Sequence, residues 1–316
     1  MGMDLSVTLA GLTLKNPVMT ASGTCGYGLE LARFFDLTRL GALVVKGISV
    51  FPRQGNPPPR IVETCGGMLN AIGLQNVGLE VFLREILPAL RPLETLRIVN
   101  ILGECQREYA LLAETLGSQD GVDALEVNVS CPNVSKGGAA FGADPRVLEN
   151  LVRLLRAKTK RPLFIKLSPN VTDIVEMALR AEGAGADGLT LINTLRGMAV
   201  DLKTRRPCLA TVVGGLSGPA IKPVALRMVW EVTRRVAIPV IGVGGILTAE
   251  DALEFLLCGA RAVQIGTAQF RDPEASIGVI EGMDAWLSAR GIQNLDEWIG
   301  SLRVEGEQLD PHAAAT

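Results

Sequence analysis

Histidine is the first shortage. The 316-residue chain contains one, His312, in a polar, Ala-rich stretch that is expected to fray rather than hold an imidazole rigidly. Ser-His-Asp and Cys-His nucleophile systems, His-ligated zinc and histidine acid–base catalysis therefore drop out. Proton transfer falls to Cys, Lys, Asp, Glu, Tyr or a hydroxyl. The six cysteines, Cys25, Cys65, Cys105, Cys131, Cys208 and Cys258, include no CxxC pair, which argues against a zinc ribbon or an iron–sulfur cluster held by this chain. Excess charge is also missing. With 31 Lys+Arg against 33 Asp+Glu the formal charge is −2, so neither nucleic acid nor an anionic membrane is an expected partner. The opening MGMDLSVTLAG has no basic n-region and no long apolar h-region, and no run of 18 apolar residues occurs. These shortages predict a soluble, cytoplasmic protein with free thiols.

What the chain does contain is a repeat. Eight short apolar, β-branched runs recur: PVMTAS from Pro17, ALVVKG from Ala42, RIVNIL from Arg97, ALEVNV from Ala124, PLFIKL from Pro162, GLTLIN from Gly188, PVIGVG from Pro239 and AVQIGT from Ala262. Between them lie segments with helical apolar spacing, among them Val147–Lys158, Asp173–Glu182, Pro223–Val236 and Ala249–Leu257. Eight βα units predict an α/β protein, a closed (β/α)₈ TIM barrel, over residues 1–303, with 304–316 a flexible polar tail. The spacings between strand starts are 25, 55, 27, 38, 26, 51 and 23 residues. The three long ones place insertions after the second, fourth and sixth strands, at about 47–78, 131–144 and 194–222. Loops that follow strands lie on the C-terminal face of a barrel, where active sites are built, so these long loops predict a substrate cover. SVTLAGLTLKN alternates and breaks at Gly11, which reads as a β-hairpin plugging the opposite end.

The chemistry-bearing residues concentrate at strand ends. Two of the eight lysines, Lys46 and Lys166, close apolar strands and should point into the barrel mouth. Either could snorkel or pair with a core carboxylate, yet two together favour a site that holds an anion or stabilises charge on an electron-accepting ring. NVSCPN puts Asn128 at a strand end and Cys131 at the start of a Gly-rich loop, a serviceable base in the absence of histidine. Cys25, Cys105 and Cys258 read instead as buried, inert thiols. Asn70, Asn100, Asn128, Asn133 and Asn193 cluster toward the same face, as suits a ligand with planar amides and carbonyls. IGVGG (241–245) and QIGTA (264–268) each follow a strand and lead toward a helix, the place where many barrels cradle a phosphate. IGVGGIL does not complete GxGxxG, so a Rossmann site is not expected.

Together these segments resemble the dihydroorotate dehydrogenases, most closely the catalytic subunit of the NAD-linked (class 1B) type. The resemblance runs from LKNPVMTASG through GNPPPR, MLNAIGLQN, NVSCPN, KLSPNVTDI, ADGLTLINT, DLKTRRP, GGLSGPAIKP and GVGGI to IGTAQF. It implies FMN bound in the barrel and oxidation of dihydroorotate to orotate in pyrimidine biosynthesis. By the same resemblance, Cys131 is the catalytic base and Lys46 belongs to the catalytic set. The FMN contacts are Ser22, Lys46, Gly47, Asn100, Asn128, Lys166, Ile192, Gly218, Gly244, Gly245, Gly266 and Thr267. The substrate contacts are Lys46, Asn70, Ala71, Ile72, Gly73, Leu74, Asn128, Asn193 and Thr194. The implied mechanism takes a proton from C5 of dihydroorotate to the Cys131 thiolate and a hydride from C6 to flavin N5. FAD and a [2Fe–2S] cluster are expected only in a partner subunit, which would join a homodimer of this chain as a heterotetramer.

Other readings stand beside this one. The fumarate-linked type also uses a cysteine, although its loop after SCPN is richer in Pro and Lys than VSKGGAAFG. The quinone-linked type uses serine and carries a membrane-associating extension not expected here. A flavin barrel reducing another pyrimidine such as uracil, a flavin-free phosphate-binding lyase or isomerase, and an inactive scaffold complete the alternatives.

Overall fold

The computed structural model describes residues 3–130 and 141–304. Its centre is a closed barrel of eight parallel strands: β1 (Val18–Thr20), β2 (Ala42–Ile48), β3 (Leu96–Ile101), β4 (Ala124–Asn128), β5 (Leu163–Lys166), β6 (Gly188–Leu191), β7 (Val240–Val243) and β8 (Ala262–Ile265). Each pairs with its neighbours in the chain, and β8 returns to β1. Six fall within the apolar runs expected to be strands, and β2 and β3 overrun theirs by one residue each, at Ile48 and Leu96. Buried on both faces, as in Ala42–Val45 and Leu163–Lys166, they read as near-continuous hydrophobic stretches rather than alternating ones. The β1–β2 seam is thin, with Met19 opposite Ala42 as its one register pair. There the Thr20 hydroxyl substitutes for ladder bonds, accepting from Val44 N at 2.9 Å and donating to Val44 O at 3.1 Å.

Helices follow because their sequences carry both a buried stripe and a start signal. In Pro145–Arg156, Leu148, Leu151, Val152 and Leu155 turn inward, Asp144 accepts from Arg146 N and Val147 N, and Pro145 occupies the first turn. Apolar periodicity alone put this start at Val147, because capping residues are polar and carry no periodic signal. Asp173 caps Ile174–Gly183 in the same way, and Thr248 with Asp251 forms a capping box on Ala249–Leu257. Lys222–Thr233 ends three residues before the expected Val236. No helix among the described residues is long and apolar enough to cross a membrane.

The N-terminal hairpin pairs Val7–Leu9 with Leu12–Leu14 around Ala10 and Gly11, both at positive φ, and buries Val7, Leu9 and Leu14. Only three residues separate it from β1, which holds it at the N-terminal end of the barrel. At the opposite end the insertions after β2 and β6 build one antiparallel sheet, in the order Leu195–Met198, Val213–Ser217, Gly67–Asn70, Ile61–Thr64. The expected cover is thus a sheet shared by two insertions. The third insertion, 131–144, lies largely outside the described residues, as does the 304–316 tail apart from Val304.

Asn76 fastens the cover's return to the barrel. Its Oδ1 accepts from Ser49 N and Gly78 N, while Nδ2 donates to Ser49 Oγ and Leu74 O. It is 6% exposed, so truncation strands several buried polar groups. Asn76→Ala should therefore lower stability by about 2–4 kcal/mol. A loss below about 0.5 kcal/mol in a denaturant melt would show that the knot carries no weight.

Candidate active site

Inside the mouth the barrel lining turns from apolar to polar in two steps. Glu126 on β4, Thr190 on β6 and Gln264 on β8, from three of the four even-numbered strands, form one buried layer of the kind that alternate strands contribute. Thr190 Oγ1 and Gln264 Nε2 donate to Glu126 Oε2 at 3.0 and 2.6 Å. The next layer comes from the odd strands. Asn100 on β3 donates to Glu126 Oε1 at 2.7 Å, and the Lys166 ammonium on β5 lies 3.6 Å from the same oxygen. Lys166 also donates to Gln264 Oε1 at 3.3 Å and to Ser22 Oγ at 3.4 Å.

Lys46 is the counterpart without a counter-ion. Half-buried on β2, its ammonium has no hydrogen-bond or ion-pair partner among the described residues. Burial pushes its pKa below the ordinary lysine value, the nearby Cys25 thiol opposes this, Arg60 adds to it and Glu30 opposes it. Pairing with a core carboxylate is therefore realised for Lys166 and not for Lys46. An unpaired, partly desolvated ammonium in a mouth is suited to receive an anion.

The amides assemble above the strand ends. Asn193 Nδ2 donates to Asn128 Oδ1 at 3.1 Å, Ser130 N donates to the same oxygen, and Tyr109 OH holds the Asn128 carbonyl at 2.6 Å. Asn193 Oδ1 in turn accepts from Thr194 N at 2.8 Å. Asn70 lies opposite Gly215 in the cover and donates to its carbonyl at 3.4 Å, while the Thr194 side chain packs so closely on Gly215 that a Cβ there would sit 2.2 Å from its Oγ1. The cover thereby brings Asn70 to the side of Asn193 and Thr194. Beyond Asn70 the chain turns back toward the barrel, with Ala71 N donating to Arg60 O, Ile72 O accepting from Asn56 N, and Gly73 and Leu74 at positive φ.

The third component is a cradle of backbone. Gly218, Gly244 and Gly245 have φ of 96°, 137° and 79°, the region that favours glycine. A Cβ on Gly245 would lie 2.8 Å from Gly218 O, and one on Gly218 would lie 2.8 Å from Gly67 Cα, so three loops meet with no room for side chains. Thr267 Oγ1 bonds Ser217 Oγ at 2.8 Å beside them, with the helical turn Ala268–Arg271 starting at the next residue. Ala220 N donates to Gly66 O, closing the cover tip onto the cradle. Ile192, whose N–H donates to Val243 O, packs near Gly244. A phosphate fits such a set of close backbone loops, and FMN as a whole fits cradle, lysines and amides together.

Most of the site residues expected from sequence converge here. Gly47 joins them because a Cβ there would strike Asn100 Oδ1 at 2.7 Å, and Gly266 packs against Ala21. Cys131 and Asn133 lie outside the described residues. Cys25 is buried, with its pKa pushed up to about 11 chiefly by burial, and its thiol donates to Val44 O. The expected burial of Cys105 and Cys258 needs correction: Cys105 is exposed ahead of a helix start, and Cys258 is only partly buried after a helix end. Sequence reasoning missed Glu126, Thr190 and Gln264. The available signal was a lone carboxylate inside the apolar run ALEVNV.

Lys46 also makes a testable demand on stability. Because its folded-state pKa is lowered, the charged form costs native stability below that pKa, and the cost vanishes as pH rises past the ordinary lysine value of 10.5. Lys46→Met should raise the ligand-free melting temperature by roughly 1–3 °C near neutrality. The gain should shrink as pH approaches 10.5. A lower melting temperature, or a pH-independent gain, would contradict an unpaired ammonium.

Comparison with known proteins agrees with this geometry. Residues 4–287 match the dihydroorotate dehydrogenase family. The chain is 59% identical over 299 residues, 95% of its length and 98% of the relative's, to "Dihydroorotate dehydrogenase B (NAD(+)), catalytic subunit" of Geotalea uraniireducens. It is 57% identical over 301 residues to the protein of that name from Geotalea daltonii, and 59% over 298 residues to that of Trichlorobacter lovleyi, covering 95% and 94% of this chain and 99% and 98% of theirs. The chain therefore belongs to the dihydroorotate dehydrogenase family, flavin-dependent oxidoreductases of pyrimidine biosynthesis.

Proposed function

We propose that this chain is the catalytic subunit of an NAD-linked dihydroorotate dehydrogenase of the cytoplasm. It binds FMN, oxidises dihydroorotate to orotate, and passes electrons to NAD through a partner subunit that carries FAD and a [2Fe–2S] cluster. The observation that carries this reading is the convergence of a side-chain-free cradle with two strand-end lysines in different charge environments. The relatives' name, a catalytic subunit, supports the existence of a partner. Apolar side chains exposed on the cover insertions, Phe51 at 71% and Leu202 at 87%, suit a surface that an assembly covers, either the homodimer or the partner.

In this reading the phosphate of FMN is received by Gly218, Gly244, Gly245, Gly266 and Thr267. Lys166, Ser22, Asn100 and Ile192 hold its ring. FMN, when bound, supplies the acceptor for the hydride that leaves C6 of dihydroorotate. The chain's own residues do the rest. Lys46 receives the substrate carboxylate, which restores a full counter-ion to its ammonium. Asn70, Asn128 and Asn193, with Thr194 and the 71–74 backbone, pair with ring amides and carbonyls through fixed donors and acceptors. The cover sheet above them holds water out. Cys131, three residues past the end of β4, takes the C5 proton as general base. Cys25 is unsuited to that task, since burial raises its pKa to about 11 and it faces Val44 O.

The test is direct. The purified protein should show a flavin spectrum, bind orotate in preference to uracil, and reduce NAD only with its partner subunit, when NAD, fumarate and a quinone are assayed in parallel. Fumarate as the preferred acceptor would overturn the subtype. Cys131→Ala should keep FMN and slow flavin reduction by dihydroorotate by roughly 10²–10⁴-fold in stopped flow. Near-normal reduction would remove Cys131 from the mechanism.

A further inference from the structure

Glu126 takes no part in the chemistry just described: it is wholly buried on β4 and reaches no solvent. A carboxylate in that position is costly unless its oxygens are satisfied. Here they receive Asn100 Nδ2 at 2.7 Å, Gln264 Nε2 at 2.6 Å and Thr190 Oγ1 at 3.0 Å, with the Lys166 ammonium at 3.6 Å. An ionised carboxylate only accepts, and that property propagates. Because Gln264 must give Nε2 to Glu126, it turns Oε1 to Lys166, which donates to it at 3.3 Å. Turning that amide over would set Nε2 against the ammonium, donor against donor. Asn100, whose Nδ2 is committed to Glu126, presents Oδ1 toward Gly47. Charge propagates as well. The positive field that Lys166 offers the mouth is partly offset by a carboxylate held in a low-dielectric layer behind it.

We infer that Glu126 is a positioning residue of the flavin site: it fixes the direction of the Asn100 and Gln264 amides, anchors Lys166, and sets the net field that the bound flavin feels. This rests on the reading that FMN occupies the mouth. It predicts opposite effects for two substitutions that alter the same hydrogen-bond network. Glu126→Gln removes the negative charge at nearly constant shape. The reduced, negatively charged flavin then gains from an unbalanced Lys166, and its midpoint potential should move in the positive direction. Thr190→Val leaves the charge but withdraws one of its donors. The carboxylate then offsets Lys166 more strongly, and the potential should move in the negative direction by a smaller amount.

The measurement is a dye-referenced spectral titration of the holoenzyme and both variants. Shifts of opposite sign support the inference. Shifts of the same sign, which simple loosening of the barrel would produce, or an unchanged potential in Glu126→Gln, overturn it. Should Glu126→Gln fail to fold, Thr190→Val decides alone: a negative shift supports the inference and a zero or positive shift overturns it. Wild-type protein that contains no FMN and takes up none would overturn the reading of the site itself, and this inference with it. A flavin-loaded wild type with unresponsive variants would overturn the inference only.

Discussion

The interaction on which the site depends is the burial of one carboxylate beneath one ammonium. Glu126 and Lys166 stand on adjacent barrel strands, and neither is more than 5% exposed. Removing one member of such a buried pair typically costs about 3–5 kcal/mol, since the remaining charge loses its partner without gaining water. The arrangement therefore locks both residues, and with them the amides that must donate to the carboxylate. A fold stabilised by apolar contact alone could leave Asn100 and Gln264 free to turn over. A charged acceptor at the centre gives each amide a single sense, so the mouth presents a defined pattern of donors and acceptors before any ligand arrives.

Around that locked centre, the residues proposed to meet ligand are left less satisfied. Lys46 has no counter-ion among the described residues and lies half-buried, whereas Lys166 is fully engaged. The two lysines divide the labour of charge. One is a fixed component of the barrel, and the other, in the proposed function, receives an anion that completes its surroundings. Stability given up at Lys46 is recovered elsewhere, at polar knots such as Asn76 and the Thr20 bridge across the thin β1–β2 seam. The cradle follows the same logic in backbone form: positive φ and the lack of a Cβ at Gly218, Gly244 and Gly245 let the loops close on one another where side chains would otherwise hold them apart.

Much of this was legible in the sequence, for identifiable reasons. Strands such as ALEVNV and PLFIKL are short, apolar and regularly spaced, so the eight-stranded barrel followed from counting. The glycine cradle and the strand-end lysines could be placed because loops after strands have one destination in a barrel. Two features were not legible. Joining Gly67–Asn70 to Val213–Ser217 in one sheet is a pairing across at least 145 residues, and neither insertion alternates strongly enough to announce a strand. Glu126 was passed over because a single charge in a strand gives no hint of whether it faces solvent, a helix or the barrel axis. Only with Thr190 and Gln264 brought into the same layer does its role become visible. Cys105 failed for the opposite reason, since a thiol's usual preference for burial says nothing about a residue placed just before a helix start.

The layered lining also explains why function could be carried by so few polar residues in a chain that is 48% hydrophobic. Below Glu126 the barrel interior is packed with apolar side chains, and above it the amides and lysines face the cover. A polar group at the boundary must serve both sides: it must be saturated toward the core, where water cannot help, and directional toward the mouth, where specificity is decided. A carboxylate meets both demands at once, with two oxygens that take the donors of neighbouring strands and a charge that holds a lysine at the next level. A neutral amide at the same position would satisfy some donors only by facing others with its own N–H groups. The choice of glutamate in ALEVNV is thus a solution to a packing problem whose by-product is a preset electrostatic field at the mouth.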